Sequence, residues 1–423
     1  MTGKLLAAIF AGAVLVAAGP AIDPKPAVTT PDGWQSAASR AEIAPEFSFR
    51  PAGGPGGGAI LMLKAGAREG IDGHWERTVP VEGGKYYQFQ AWRRVHGVEW
   101  VQQSGLATVQ WLTAEGKVAV DDRELVPNYL NGFTATAPRE FPLDGETGPD
   151  GWQKLSGRWQ APSGATQALI KLHLRWASNA TVEWSGAKLE QISTPAPRKV
   201  RLASIHLRPR GATPEKNREL FAPLIEEAAR QKADLVVLPE TLTFYGKSLT
   251  PAEVAEPMPG PSTEYFGRLA REHGLYIVAG LYEKRDHLVY NVAALIAPDG
   301  KLAGVYRKVT LPENEADSGV APGREYPVFD TSFGKLGIMI CYDGFFPEVA
   351  RELSKRGAEV IAWPVWGANP ELARARAAEN HVYLISSTYE DISRNWMYTA
   401  IWDHVGNRIA TAQDWGSVVV AEV

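Results

Sequence analysis

Three residues suited to nucleophilic chemistry stand at or just beyond the ends of apolar runs in the second half of this chain. Cys341 closes the run Gly334-Lys-Leu-Gly-Ile-Met-Ile-Cys341 and is the only cysteine among 423 residues. Glu240 ends Val237-Leu-Pro-Glu240, and Lys308 ends Tyr306-Arg-Lys308. A thiol becomes a strong nucleophile once its proton is removed. A carboxylate can remove that proton, and an ammonium can favour the thiolate and steady the oxyanion formed on attack. Each residue also has a plain structural reading: a buried core thiol, a helix-start carboxylate and a solvated strand end. Their shared placement gives the set its interest, because ligands bind at strand ends along one edge of an α/β sheet.

The elements around them read as follows. Leu336 to Ile340 is a short, buried strand, and Pro347 opens a helical pattern to Lys355 at the first-turn position, where its missing N–H costs nothing. Cys341 is thus expected between a strand end and a helix start, among free backbone N–H groups. Other strands are expected at 199–207, 234–238, 275–281, 291–297, 302–308, 359–362, 381–387, 397–402 and 418–423. Helices are expected at 213–231, 262–273 and 370–380, the first with Leu220, Phe221, Leu224, Ile225 and Ala228 on one apolar face. Strands and helices in near alternation predict an α/β layered domain over 199–423.

The front half has a different period. Residues 32–192 carry short alternating runs, such as Tyr86-Tyr-Gln-Phe-Gln-Ala-Trp92, divided by Gly, Pro and Asp turns, which predicts an all-β sandwich. Nine of the 14 tryptophans lie here, at 34, 75, 92, 100, 111, 152, 159, 176 and 184. Core packing accounts for most of them, with stacking on sugar rings as the alternative for exposed ones. The acidic run Asp121-Asp122-Arg123-Glu124 reads as a solvated loop in preference to a calcium site. Ser193-Thr-Pro-Ala-Pro197 marks a linker at 193–198 between the two domains.

Hydrophobic content of 45% and charged content of 22% describe a globular protein. A formal net charge of −4 and a pI near 6.1 give no electrostatic footprint for nucleic acid or an anionic membrane. Residues 1–21 read as a secretory signal peptide: Lys4, the apolar stretch Leu5 to Ala18, then small residues through Ala21. A secreted or periplasmic location follows, and a lone cysteine there can form no intrachain disulfide. The eight histidines show no paired ligand spacing, so no metal is implied.

Four segments then fall together. Leu235-Val-Val-Leu-Pro-Glu240, Tyr306-Arg-Lys308-Val-Thr-Leu-Pro-Glu-Asn-Glu315, Gly337-Ile-Met-Ile-Cys341-Tyr-Asp-Gly-Phe-Phe-Pro-Glu348 and Ala373-Arg-Ala-Arg-Ala-Ala-Glu-Asn380 resemble, in order and spacing, the motifs of the carbon–nitrogen hydrolase (nitrilase) superfamily. The resemblance implies a four-layer α-β-β-α sandwich and assigns the catalytic Glu, Lys and Cys to Glu240, Lys308 and Cys341. It points to Glu315, ahead of Glu313, as a second glutamate. Thr310 stands where members often carry His. It also places a substrate pocket among the aromatics that follow the nucleophile and the next strand: Phe345, Trp363 and Trp366, with Tyr342 and Phe346 beside them, core packing being the alternative for each. Residues 151–190 are similar to galactose-binding-like, carbohydrate-binding jelly-roll modules, which implies a possible glycan ligand for the first domain.

The function so implied is a secreted amidase acting on small-molecule C–N bonds other than peptide bonds, through a thioester on Cys341. Glu240 serves as base and then acid, Lys308 and the Tyr342 backbone N–H hold the oxyanion, and Glu315 keeps Lys308 and the substrate in register. No organic cofactor is implied, and a homodimer through the hydrolase domain is the family's default. The same residues would serve a nitrilase or an N-acyltransferase. A catalytically inert surface or glycan-binding protein is the alternative from another class.

Overall fold

The computed structural model describes residues 28–123, 135–394 and 396–423, so the expected signal peptide at 1–21 and Glu124 lie outside the described residues. The chain divides into two compact units, with the boundary between Ala196 and Pro197. No helix among the described residues is long and apolar enough to cross a membrane.

Among the described residues, the first unit is built of antiparallel strands with one short α-helix. They are β1 (Gln35–Ala37), β2 (Glu46–Arg50), β3 (Ile60–Lys64), β4 (Asp72–Pro80), β5 (Tyr86–His96), α1 (Val101–Ser104) and β6 (Ala107–Leu112). Then come β7 (Leu143–Thr147), β8 (Gln153–Gln160), β9 (Gln167–Arg175) and β10 (Thr181–Ile192). A four-stranded sheet, β1-β4-β9-β6, faces a six-stranded one, β2-β3-β10-β5-β8-β7. Alternation buries Tyr87, Phe89 and Ala91 of β5 against Ala168, Ile170, Leu172 and Leu174 of β9. Trp34, Trp75, Trp111, Trp152 and Trp184 are buried, Trp92 and Trp159 half-buried, and only Trp100 and Trp176 exposed, at 64% and 62%. Asp121 is not solvated as a loop carboxylate would be: it pairs with Arg123 at 2.8 Å, and Asp122 accepts from the Ser163 N–H at 3.0 Å.

The second unit holds two further six-stranded sheets. Its first half runs β11 (Arg201–His206), α2 (Pro214–Glu219), α3 (Ala222–Arg230), β12 (Leu235–Val237), α4 (Pro251–Val254), α5 (Pro261–His273), β13 (Tyr276–Arg285), β14 (Leu288–Ile296), β15 (Leu302–Arg307) and α6 (Glu313–Asp317). The second half runs β16 (Val328–Thr331), β17 (Gly334–Ile338), α7 (Pro347–Lys355), β18 (Val360–Pro364), α8 (Pro370–Asn380), β19 (Tyr383–Ser387), β20 (Ala400–Trp402), β21 (Arg408–Thr411) and β22 (Ser417–Glu422). The sheet orders are β15-β14-β13-β12-β11-β22 and β16-β17-β18-β19-β20-β21. Parallel strands form the centre of each, β11-β12-β13 and β17-β18-β19.

Strand alternation sorts the apolar residues into layers. Leu235, Val237, Leu336, Ile338, Val360 and Ala362 pack between the two sheets. Val236 and Ile277 face the helix side with Ile225 and Phe266, while Ile361 and Trp363 pack with Val349, Leu353 and Ala377. The result is helix-sheet-sheet-helix, and burial on both faces is why these strands read as continuous apolar runs.

One helix departs from expectation. The single helix predicted at 213–231 is two, because Pro223 has no N–H for a continuing helix and its ring would strike the carbonyl one turn back. The chain jogs at Leu220 and Phe221, leaving Leu220 exposed while Phe221 is buried, so Leu220 is not on the shared apolar face.

Candidate active site

β17 feeds the buried Met339 and Ile340 into a short 3-10 turn over Cys341–Phe345. Cys341 sits at φ +40°, in the left-handed region that a non-glycine residue occupies only when its surroundings enforce it. Asp343 supplies much of that enforcement. Fully buried, its carboxylate accepts from the Ile340 N–H at 2.9 Å, the Tyr306 hydroxyl at 2.7 Å and the Thr310 N–H at 2.9 Å. Burial pushes the Asp343 pKa up to about 6. Trp363 closes the turn from below, its indole N–H donating to the Cys341 carbonyl at 3.1 Å. A Cβ on Gly344 would lie 2.1 Å from the Trp363 ring, so only glycine allows this approach.

Glu240 stands just beyond β12. The Tyr389 hydroxyl donates to its carbonyl at 2.7 Å, and Gly280 of β13 passes so close that an added Cβ would fall 2.6 Å from the Glu240 Cα. Lys308 follows β15 and stays tied to β14 through its N–H to the Asn291 carbonyl, 2.9 Å. Glu315 comes from α6. The Lys308 ammonium donates to Glu240 Oε1 at 3.0 Å and to Glu315 Oε1 at 2.6 Å. Asn291 Nδ2 donates to Glu240 Oε1 at 2.8 Å and to both Glu315 oxygens at 3.2 Å. Glu240 Oε2 accepts from the Trp366 N–H at 2.9 Å. The Lys308 side chain is fully enclosed, with Glu240 only 2% and Glu315 12% exposed.

Burial by itself would lower the Lys308 pKa, but the carboxylates of Glu240 and Glu315 outweigh it and hold the ammonium well above the usual lysine range. Burial and the Glu240 charge push the Glu315 carboxyl up, against the pull of Lys308. Burial, then Glu240, push the Cys341 thiol up, and Lys308 with the Trp366 N–H does not reverse this. Lys308 does pull towards the thiolate, as expected from sequence, but burial and Glu240 outweigh that pull. The single charge of Lys308 is already matched by two carboxylates.

The four polar residues singled out from sequence come together at one site. The Glu240 charge helps to push the Cys341 thiol up, and the Sγ lies 3.8 Å from the Gly367 carbonyl. The Tyr342 N–H donates to no described residue. Trp366, 37% exposed, packs on Tyr245 with ring centroids 5.1 Å apart, and Phe345 is half-buried with its ring 5.2 Å from that of Tyr342. Trp363 is a correction: it has no exposure, lies in the helix-side core and buttresses the Cys341 turn in place of lining a pocket. Sequence reading missed Asn291 and Asp343. The available signal was the same for both, a lone amide or carboxylate set among apolar neighbours that has to be paired if buried. Among the described residues, no group of three or more His, Cys, Asp or Glu side chains is placed to hold a metal ion.

The carbon-nitrogen hydrolase family profile matches residues 201–423. A nitrilase of Pyrococcus abyssi is 40% identical over 195 residues, 44% of this chain and 74% of that protein. The omega-amidase NIT2 of Xenopus tropicalis is 34% identical over 221 residues, 47% of this chain and 80% of that protein. Among solved structures, Saccharomyces cerevisiae Nit3, a member of branch 10 of the nitrilase superfamily, aligns at 25% identity with a TM-score of 0.49, over 54% of this chain and 92% of that one. With more than half of its length inside that profile and relatives of this identity, the chain belongs to the carbon-nitrogen hydrolase family and is an enzyme of that class.

Proposed function

We propose that the protein is an amidase that cleaves small-molecule amides through a thioester on Cys341. The observation that carries this reading is the enclosed Glu240–Lys308–Glu315 cluster beside the only cysteine. Because the thiol is held protonated, deprotonation accompanies attack. Glu240 takes the Cys341 proton as Sγ bonds to the amide carbonyl carbon, and the oxyanion is held by Lys308 and the Tyr342 N–H. The C–N bond then breaks, Glu240 returns the proton to the departing amine, and a thioester remains. Water, losing a proton to Glu240, attacks the thioester and the acid leaves with Cys341 restored as a thiol. Glu315 keeps Lys308 in place throughout. Every step is acyl transfer and proton movement, so the sequence calls on no metal and no organic cofactor.

The omega-amidase name of several relatives supports an amide substrate, while the Pyrococcus abyssi relative keeps a nitrile in view. A nitrile would give a thioimidate at the same thiol. Residues 1–21 serve as a signal peptide, the enzyme acts outside the cytoplasm, and the protein is a homodimer. The first unit is a galactose-binding-like jelly roll that contacts glycan through the exposed Trp100 and Trp176.

Ammonia release from a panel of amides, N-carbamoyl amino acids and nitriles, with Cys341→Ala alongside, tests the reading. Release from amides that vanishes in the variant supports it. Retained release in Cys341→Ala, or release from nitriles alone, overturns it.

A further inference from the structure

We infer that Asn291 is a positioning residue that directs the proton of Cys341 to one chosen oxygen of Glu240, an inference that rests on the amidase reading above. Asn291 is buried on β14, followed by the apolar stretch Val292 to Ile296 and opposite Tyr282 of β13. Its Nδ2 reaches both glutamates, and its Oδ1 has no hydrogen-bond partner among the described residues. That asymmetry fixes the amide. Turned over, it would set a carbonyl oxygen against two carboxylates and leave both N–H groups unpaired.

The two carboxylate oxygens of Glu240 have different partners. Oε1 accepts from Asn291 at 2.8 Å and from Lys308 at 3.0 Å, which fills its two lone-pair positions. Among the described residues Oε2 accepts only from the Trp366 N–H, at 2.9 Å, which leaves it a lone pair for the thiol. Oε2 is therefore the oxygen open to the thiol proton, and Asn291 with Lys308 keeps Oε1 turned away from that task. Asn291 does a second job on Glu315. Lys308 supplies one positive charge to two carboxylates, and the Asn291 amide adds neutral donors to both without adding a charge. Without it, the two carboxylates compete for one ammonium and Glu240 loses its fixed rotation. The titratable groups facing this amide environment are Glu240, Tyr282, Lys308, Glu315 and Cys341.

The test uses the full chain, its preferred amide, Asn291→Ala and the near-isosteric Asn291→Asp, with Cys341→Ala in parallel. For Asn291→Ala we expect kcat to fall about ten- to hundredfold, the scale of a catalytic group misplaced by about 1 Å. KM should stay within about threefold, because the lost interaction serves the reaction and not substrate binding. For Asn291→Asp the ratio of its kcat to wild type should fall as pH rises. The new carboxyl can donate one hydrogen bond while protonated and none once ionised. A purely structural role would lower Tm in both variants while leaving kcat and its pH profile unchanged in the folded enzyme, and that result overturns the inference. Should Asn291→Ala fail to fold, the pH profile of Asn291→Asp decides. Loss of turnover in Cys341→Ala with unaltered Asn291 variants sinks this inference alone, whereas turnover surviving in Cys341→Ala sinks the amidase reading itself.

Discussion

Asp343→Asn separates the hydrogen bonds that hold the Cys341 turn from the cost of burying a charge inside it. The amide oxygen can take the place of Oδ2 and keep the Ile340 N–H and the Tyr306 hydroxyl as donors. The amide nitrogen then faces the Thr310 N–H, leaving that donor and the new amide N–H groups without an acceptor, at a cost of about 1–3 kcal/mol. Against this stands the ionisation of the wild-type carboxyl. Burial raises its pKa from 3.8 to about 6 in the folded protein, roughly two units at about 1.4 kcal/mol each, or about 3 kcal/mol. The sign follows from linkage: the folded state keeps this proton after the unfolded chain has released it. The contribution of Asp343 is therefore fully present below about pH 4 and is lost as pH rises through about 6. The substitution should destabilise the second unit by about 1–3 kcal/mol at pH 4, and become neutral or mildly stabilising at pH 7. Urea-dependent hydrogen exchange across β17 and α7, at both pH values in wild type and variant, measures the difference while other titrating groups cancel. A deficit that grows with pH is the opposite result. It would mean that the three hydrogen bonds outweigh burial and hold the carboxyl ionised.

Glu240→Gln should lower kcat by about 10²–10⁴-fold, the usual worth of a general base, yet speed alkylation of Cys341 by iodoacetamide at pH 8, because the carboxylate that raises the thiol is gone. Parallel loss of both rates, followed by ammonia release and intact mass, would contradict this. Gly344→Ala should destabilise the enzyme by about 1–3 kcal/mol and depress turnover, since its new Cβ would meet the Trp363 ring at 2.1 Å and push on the Cys341 turn. An unchanged Tm with unchanged kcat would show that the turn tolerates displacement.

Much of this site is legible along the chain because its chief residues follow apolar strands directly. Glu240 and Cys341 each end a hydrophobic run, Lys308 stands just past β15, and the helices at Pro347–Lys355 and Pro370–Asn380 announce themselves by proline at the first turn. Glu315 is different. Nothing in its own surroundings distinguishes it from Glu313, and only the motif resemblance points to it before the Lys308 contact is seen. Asn291 and Asp343 were missed because their meaning is long-range: Asn291 reaches Glu240 51 residues away, and Asp343 reaches Tyr306 37 residues away. Trp363 was misread for a reason of parity. On β18, Val360 and Ala362 face the other sheet while Ile361 and Trp363 face the helices, and a strand apolar on both faces gives no period from which to choose. Pro223, overlooked inside an otherwise regular amphipathic pattern, broke the first helix in two.

Acid-quenched intact mass during steady turnover of a preferred amide tests for the Cys341 thioester. An adduct equal to the acyl group is expected, carried on the peptide containing Cys341, stable in acid and absent from Cys341→Ala. Turnover with no adduct at any time, or an adduct on a residue other than Cys341, would contradict it.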